Sequence, residues 1–184
     1  MSLWTTRAST VVYENPWILV REDAVDRPDG SAGIYGVVEL RQPAVFVVAL
    51  SDDGEVVLVE VDRYTTGASL EVPAGGSDGE DLLVAAQREL REETGLVADR
   101  WQAVGSMSAL NGVCRAPEHV FLARGLRPAP AATDAHGAQA EEGITAVRRL
   151  PWARVLELVA DGTITDGESV AALMYAAIAL GRVG

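Results

Sequence analysis

Glu80, Glu89, Glu92 and Glu93 share one short segment with Arg88, and carboxylates gathered this closely repel one another. A half-buried carboxylate without a partner costs several kcal/mol. Arg88 can offset one of them. The others require bound divalent cations, and hard ions such as Mg²⁺, with Mn²⁺ as a second choice, prefer carboxylate, carbonyl and water oxygens.

Whether these groups face a site or the solvent depends on helical phase. With about 100° between successive residues and Glu89 set at zero, Glu93 falls near roughly 40° and Glu92 near roughly −60°. Leu82, Ala86 and Leu90 fall between roughly 20° and 100°, so the glutamates share the apolar, inward side. Gln87 and Arg91 lie opposite, on an ordinary solvated face. Ser77 followed by Glu80 reads as a capping box that opens the helix, and Gly95 as the left-handed residue that closes it. Upstream, residues 70–74 read as a short strand running into a glycine-rich loop.

The segment from Glu80 through Arg88, Glu89, Leu90, Glu92, Glu93, Gly95 and Leu96 resembles the signature box of the Nudix hydrolases. The likeness has one departure. Four residues, where the box has five, separate Gly75 from Glu80, and counting five back reaches Ala74, which loses the glycine. Either way, the departure bears on substrate identity more than on metal binding.

The resemblance implies Mg²⁺-dependent hydrolysis of a diphosphate that links a nucleoside to another group. It makes Glu89, Glu93 and Glu92 the metal ligands, with the carbonyl of Ala74 as a further ligand and Arg88 as the salt-bridge partner of a glutamate. Glu80 has two readings, an outer support of the site or simply a capping residue. Glu71 could reach the site from the strand end. The branch of the family that cleaves ADP-ribose takes its general base from a late loop, where Glu141 and Glu142 are the matching residues, and Glu92 of the box is the alternative base. For substrate, Arg63 and Tyr64 could meet phosphate and base, and Trp17 or Tyr64 could stack on a nucleobase. Thr65 stands where related enzymes often carry arginine.

Two other functions compete with ADP-ribose hydrolysis. One is a Nudix hydrolase of a different nucleotide sugar, dinucleotide or nucleoside triphosphate. The other is a Nudix-like module that senses a nucleotide without cleaving it, and the complete Glu89, Glu92, Glu93 set speaks against that.

Composition narrows the partners. The 184 residues carry 15 basic and 27 acidic side chains, a formal net charge of −12 that repels nucleic acid backbone and anionic membrane surfaces. An anionic substrate is therefore received locally, by cations and a few arginines. Cys114 is the single cysteine, which excludes an intrachain disulfide and suits a reducing cytoplasm. No secretion signal is recognisable at the start, and no run approaches the roughly 18 apolar residues of a membrane span. A soluble cytoplasmic protein is expected.

The elements that must hold these groups follow from periodicity. Strands are expected over residues 9–13, 17–26 and 34–40, with Pro28, Asp29 and Gly30 turning the chain between the last two. Residues 44–50 and 55–61 flank Ser51 to Gly54 as a hairpin. Later strands are expected over 101–108, 119–123 and 144–148. Residues 127–140, rich in Pro, Ala and Gly, read as a mobile loop. Two helices close the chain, one from Pro151 to about Ala160 and one from Gly167 to about Leu180. This order is α+β, a sheet packed between helices. The resemblance sharpens it to a Nudix fold, an α/β/α sandwich with a mixed sheet, over residues 43–184. An N-terminal antiparallel β-sheet, residues 1–42, precedes it, and in the ADP-ribose pyrophosphatase branch that sheet commonly helps form a homodimer.

Overall fold

The computed structural model describes residues 2–130 and 135–183. Along the chain run β1 (Thr5–Glu14), β2 (Ile18–Asp26), β3 (Ala32–Leu40), β4 (Ala44–Leu50), β5 (Glu55–Arg63), β6 (Gly67–Glu71) and β7 (Ala74–Gly76). Then come α1 (Leu82–Thr94), β8 (Leu96–Ser108), β9 (Cys114–Arg115), β10 (Pro117–Pro128) and α2 (Ala135–Glu141). β11 (Ile144–Pro151), α3 (Trp152–Ala160) and α4 (Gly167–Ala179) complete the order. They divide into two compact units, one reaching to Pro43 and including Met107–Glu118, the other made of Ala44–Ser106 and the chain from His119 onward.

The first unit is a four-stranded sheet in the order β1-β2-β3-β9. The β1/β2 and β2/β3 pairs are antiparallel, and short β9 runs parallel to β3. Local chemistry sets both hairpins. Asn15 accepts hydrogen bonds from the Trp17 and Ile18 amides at 2.9 and 2.8 Å, an Asx turn that reverses the chain. Between β2 and β3, Gly30 adopts φ +83° while the Arg27 amide donates to the Ser31 carbonyl. Every residue of β1 is exposed.

The second unit is built on the sheet β11-β5-β4-β10-β8, with β6 added to β5 and β7 to β4. Strand β4 explains why helices cover both faces. Val45, Val47 and Ala49 pack in one cluster with Ala85, Ala86 and Leu90 of α1. Phe46, Val48 and Leu50 point the other way by the two-residue period and are equally buried, on the face toward which α4 packs. No helix among the described residues is long and apolar enough to cross a membrane.

Three expectations change. The Ser77–Glu80 capping box does not form. Helix α1 begins at Leu82 with Asp81 as its cap, whose carboxylate accepts from the Leu83 amide at 3.0 Å. Ser77 instead is buried, and its carbonyl accepts from the Glu80 amide at 2.8 Å across Asp78 and Gly79, both at positive φ. That is the geometry of a type I′ turn, which a loop one residue short requires to double back. The strand expected over 70–74 is two strands, β6 and β7, parted at Val72 and Pro73, because Pro73 has no amide to donate to a ladder. The passage 127–140 is not simply a loop. β10 continues to Pro128 and α2 begins at Ala135, residues 131–134 lying outside the described part. The alanines counted there among loop-forming residues are also good helix formers.

Candidate active site

Helix α1 ends in Gly95 at φ +69°, whose amide returns to the Arg91 carbonyl. Its inward face carries Ala85, Ala86, Glu89, Leu90 and Glu93 as buried residues, so the phase read from the sequence holds. Burying two glutamates beside alanine and leucine is costly unless other groups meet them.

Each has a partner. The Glu93 Oε2 accepts from the Ala74 amide at 2.9 Å, which ties the helix to the start of β7. Arg88 reaches Glu89 Oε1 at 2.7 Å, Glu80 at 2.9 Å and the Gly76 carbonyl at 2.7 Å, so one guanidinium joins the helix to the glycine loop. Burial works against its charge, yet the hydrogen bond to Glu80 and the field of Glu89 raise its pKa above the usual arginine value. Glu80 thus supports Arg88 and caps nothing.

The loop lies hard against the helix. A Cβ at Gly75 would fall well inside contact distance of the Glu89 carboxylate, whereas Ala74 carries its methyl without difficulty opposite Phe46. Gly75 is therefore the glycine that the box demands at this approach, and the loop is one residue short.

A third carboxylate completes the group. Among the described residues, Glu89, Glu93 and Glu142 bring one carboxylate oxygen each to within 4.8 Å of one another, the first two buried and the third exposed. Burial pushes Glu89 up to about 7 despite the opposing field of Arg88, with Glu142 and Glu92 adding to the rise. Burial likewise holds Glu93 well above the ordinary carboxylate range against the Ala74 amide, and Glu89 and Glu142 add to it. Three convergent oxygens whose ionised forms repel one another suit a divalent cation, which would reverse both shifts.

The remaining candidates lie as follows. Glu92 is at the edge of this face, bonded to Arg91 at 3.0 Å and 3.4 Å from the Arg88 nitrogen that also holds Glu89, and it is not one of the three convergent carboxylates. Glu141 ends α2 and is exposed outside the cluster. Arg63 is held by buried Glu71 at 2.6 Å, so the strand-end glutamate neutralises an arginine and does not join the cluster. Tyr64 is fully exposed at the turn after β5. Trp17 is exposed in the first unit, before β2. Sequence reasoning missed Asp81, a capping residue one position before the first apolar residue, and Gln139, whose amide donates to the Glu93 carbonyl at 2.8 Å. Nothing local in the sequence marks that second contact, since it joins elements 46 residues apart.

The chain is similar to known proteins along most of its length. The NUDIX domain family matches residues 40–173, and the nucleoside diphosphate sugar hydrolase N-terminal domain matches residues 4–38. An ADP-ribose pyrophosphatase of Mycobacterium tuberculosis (strain ATCC 25618 / H37Rv) is 33% identical over 172 residues, covering 92% of this chain and 81% of that protein. A GDP-mannose pyrophosphatase of Yersinia pestis (strain Pestoides F) is 33% identical over 132 residues, 68% of this chain and 65% of that protein. The crystal structure of an ADP compounds hydrolase matches with a TM-score of 0.83 over 98% of this chain and 96% of its own, at 23% identity, a likeness of fold.

Proposed function

The chain belongs to the NUDIX family of hydrolases, and on that premise we propose that it cleaves ADP-ribose to AMP and ribose 5-phosphate with the help of Mg²⁺. Mn²⁺ is the expected substitute. The observation that carries the reading is the convergence of Glu89, Glu93 and Glu142 in one partly buried cluster. With a chain charge of −12, such a site is where an anionic diphosphate finds its positive charge.

Glu89, Glu93 and Glu142, with the carbonyl of Ala74, are the groups that would hold the ions. Ions held there would supply the positive charge that offsets the diphosphate oxygens and would lower the pKa of a water. The protein's own residues provide position. Arg88 fixes the Glu89 carboxylate and the loop carbonyl of Gly76 together, and the Ala74 amide orients Glu93. Glu142, the exposed member, is the group able to accept a proton from the attacking water. We assign that step to Glu142 over Glu141, which lies outside the cluster, and over Glu92, which two arginines engage. Either Tyr64 or Trp17, each with an exposed aromatic face, is the group to stack on a nucleobase, and Arg63, already neutralised by Glu71, is left to orient more than to attract.

The decisive experiment is incubation with ADP-ribose, with and without Mg²⁺, and chromatography for AMP. Full activity in excess EDTA, or no AMP under any metal, overturns the proposal. A second reading is another nucleotide sugar as the preferred substrate. The short glycine loop and Thr65 favour keeping it, and a panel that includes GDP-mannose separates the two.

The proposal extends to a cytoplasmic homodimer. A single half-buried thiol at Cys114 suits a reducing compartment, and β1 offers ten exposed residues with an unpaired edge, a surface suited to a second copy.

A further inference from the structure

Helix α2 has seven residues and none of them is buried. An isolated helix of that length is far below the roughly 12 to 15 residues at which helices become even marginally stable in water. Its place must come from specific tertiary contacts. Two of them lie one on each side of Glu142. Before it, the Gln139 Nε2 donates at 2.8 Å to the carbonyl of Glu93, one of the C-terminal carbonyls of α1 that lack a partner within the helix. After it, the Gly143 carbonyl accepts from the Asp62 amide of β5 at 3.0 Å, with Gly143 at φ +75° and only 3.0 Å between a Cβ placed there and the Asp62 carbonyl oxygen. The Glu142 amide meanwhile bonds to the Ala138 carbonyl at 3.1 Å.

From this arrangement we infer that Gln139 is a positioning residue, a latch that docks α2 on the end of α1 and thereby fixes the Glu142 carboxylate beside Glu89 and Glu93. The residue that supplies an inward ligand, Glu93, also supplies through its backbone the anchor for the incoming one. Gly143 is the pivot, the conformation in which the chain turns from α2 into β11 without a side chain in the way. The inference rests on the assignment of Glu142 made above and adds the device that holds it. Displacements of about 1 Å in such a site cost up to about 100-fold in rate, so a single lost latch has a measurable effect.

Gln139→Met is the informative substitution, because it keeps length and helix propensity and removes only the donor. The expected result is Mn²⁺ binding, followed by electron paramagnetic resonance, weakened about tenfold, and kcat on ADP-ribose lowered about tenfold with KM little changed. Circular dichroism and melting in EDTA should match the unsubstituted protein, and Gln139→Ala should behave alike. In a Glu142→Gln background neither substitution should add a further loss, because the latch acts only through Glu142. Wild-type Mn²⁺ affinity in Gln139→Met, or losses that add in full to those of Glu142→Gln, overturn the latch while leaving the assignment of Glu142 intact. Wild-type behaviour of Glu142→Gln itself removes that assignment and the latch together.

Discussion

Gly75 and the Glu89 carboxylate occupy adjoining space so closely that no side chain fits between them. The glycine is there for approach, since it is absent from the residues with positive φ. Gly75→Ala should therefore leave the backbone fold intact, the Glu89 carboxylate being pushed off its bond to Arg88, and spoil the cation site. Expected are a melting temperature in EDTA close to wild type and metal-dependent stabilisation reduced or lost, both read by calorimetry with and without Mg²⁺. A normal metal response in Gly75→Ala would mean that Glu89 is no ligand.

Glu93→Gln keeps the shape and removes a charge. Because burial already disfavours the ionised form, the metal-free variant should melt no lower than wild type at pH 8, while kcat falls about 100-fold, equivalent to about 3 kcal/mol of barrier. Steady-state kinetics paired with melting in EDTA test both halves.

The pH dependence of the metal-free protein has a definite sign. Glu89 is raised from 4.5 to about 7, so below pH 4.5 both folded and unfolded chains hold its proton. Between the two values only the folded chain does, and stability falls as pH rises through that window. Carboxylates held low, such as Asp29 through Ser31 and Glu60 through Arg148, lose their contribution only at more acid pH. Melting in EDTA from pH 5 to 7.5 should thus decline, and because Glu93 is raised in the same direction, Glu89→Gln should make the decline shallower without abolishing it. Added Mg²⁺ must displace the proton, so its affinity should weaken as pH drops below about 7.

The helix cap offers a structural control. Asp81→Ala should cost about 1 kcal/mol through loss of the bond to the Leu83 amide, with kcat mostly spared. Denaturant unfolding of this variant beside Glu93→Gln should separate stability from chemistry.

The exposed strand gives a test of assembly. Val11→Asp and Val12→Lys, on a β1 without a buried residue, should leave the monomer fold unaltered and shift the protein to half its mass in sedimentation. An unchanged mass would place any interface elsewhere.

Much of this protein was legible in the chain because it rests on local rules. The apolar run Val45 to Leu50 as a strand, the Ser51–Gly54 turn and the positions of Glu89, Glu93 and Arg88 on α1 all follow from local pattern and spacing, which neighbours in sequence set by themselves. Gly95 as the helix end follows from its freedom at positive φ. Where two local signals compete, neighbouring residues alone do not choose between them. Ser77 and Asp81 are both good caps, and the turn imposed by the shortened loop buried Ser77 and left the helix to begin after Asp81.

Tertiary structure decided which carboxylates meet. Spacing places Glu92 beside Glu89, where it shares Arg88 with that residue and bonds to Arg91, whereas Glu142, 49 positions beyond Glu93, arrives by the docking of a helix too short to stand alone. Glu71 went to Arg63 for the same reason, a partner across the β5/β6 pair. Charges are satisfied by whatever lies within a few ångströms, and that neighbourhood is a property of the packed chain, not of the order of its residues.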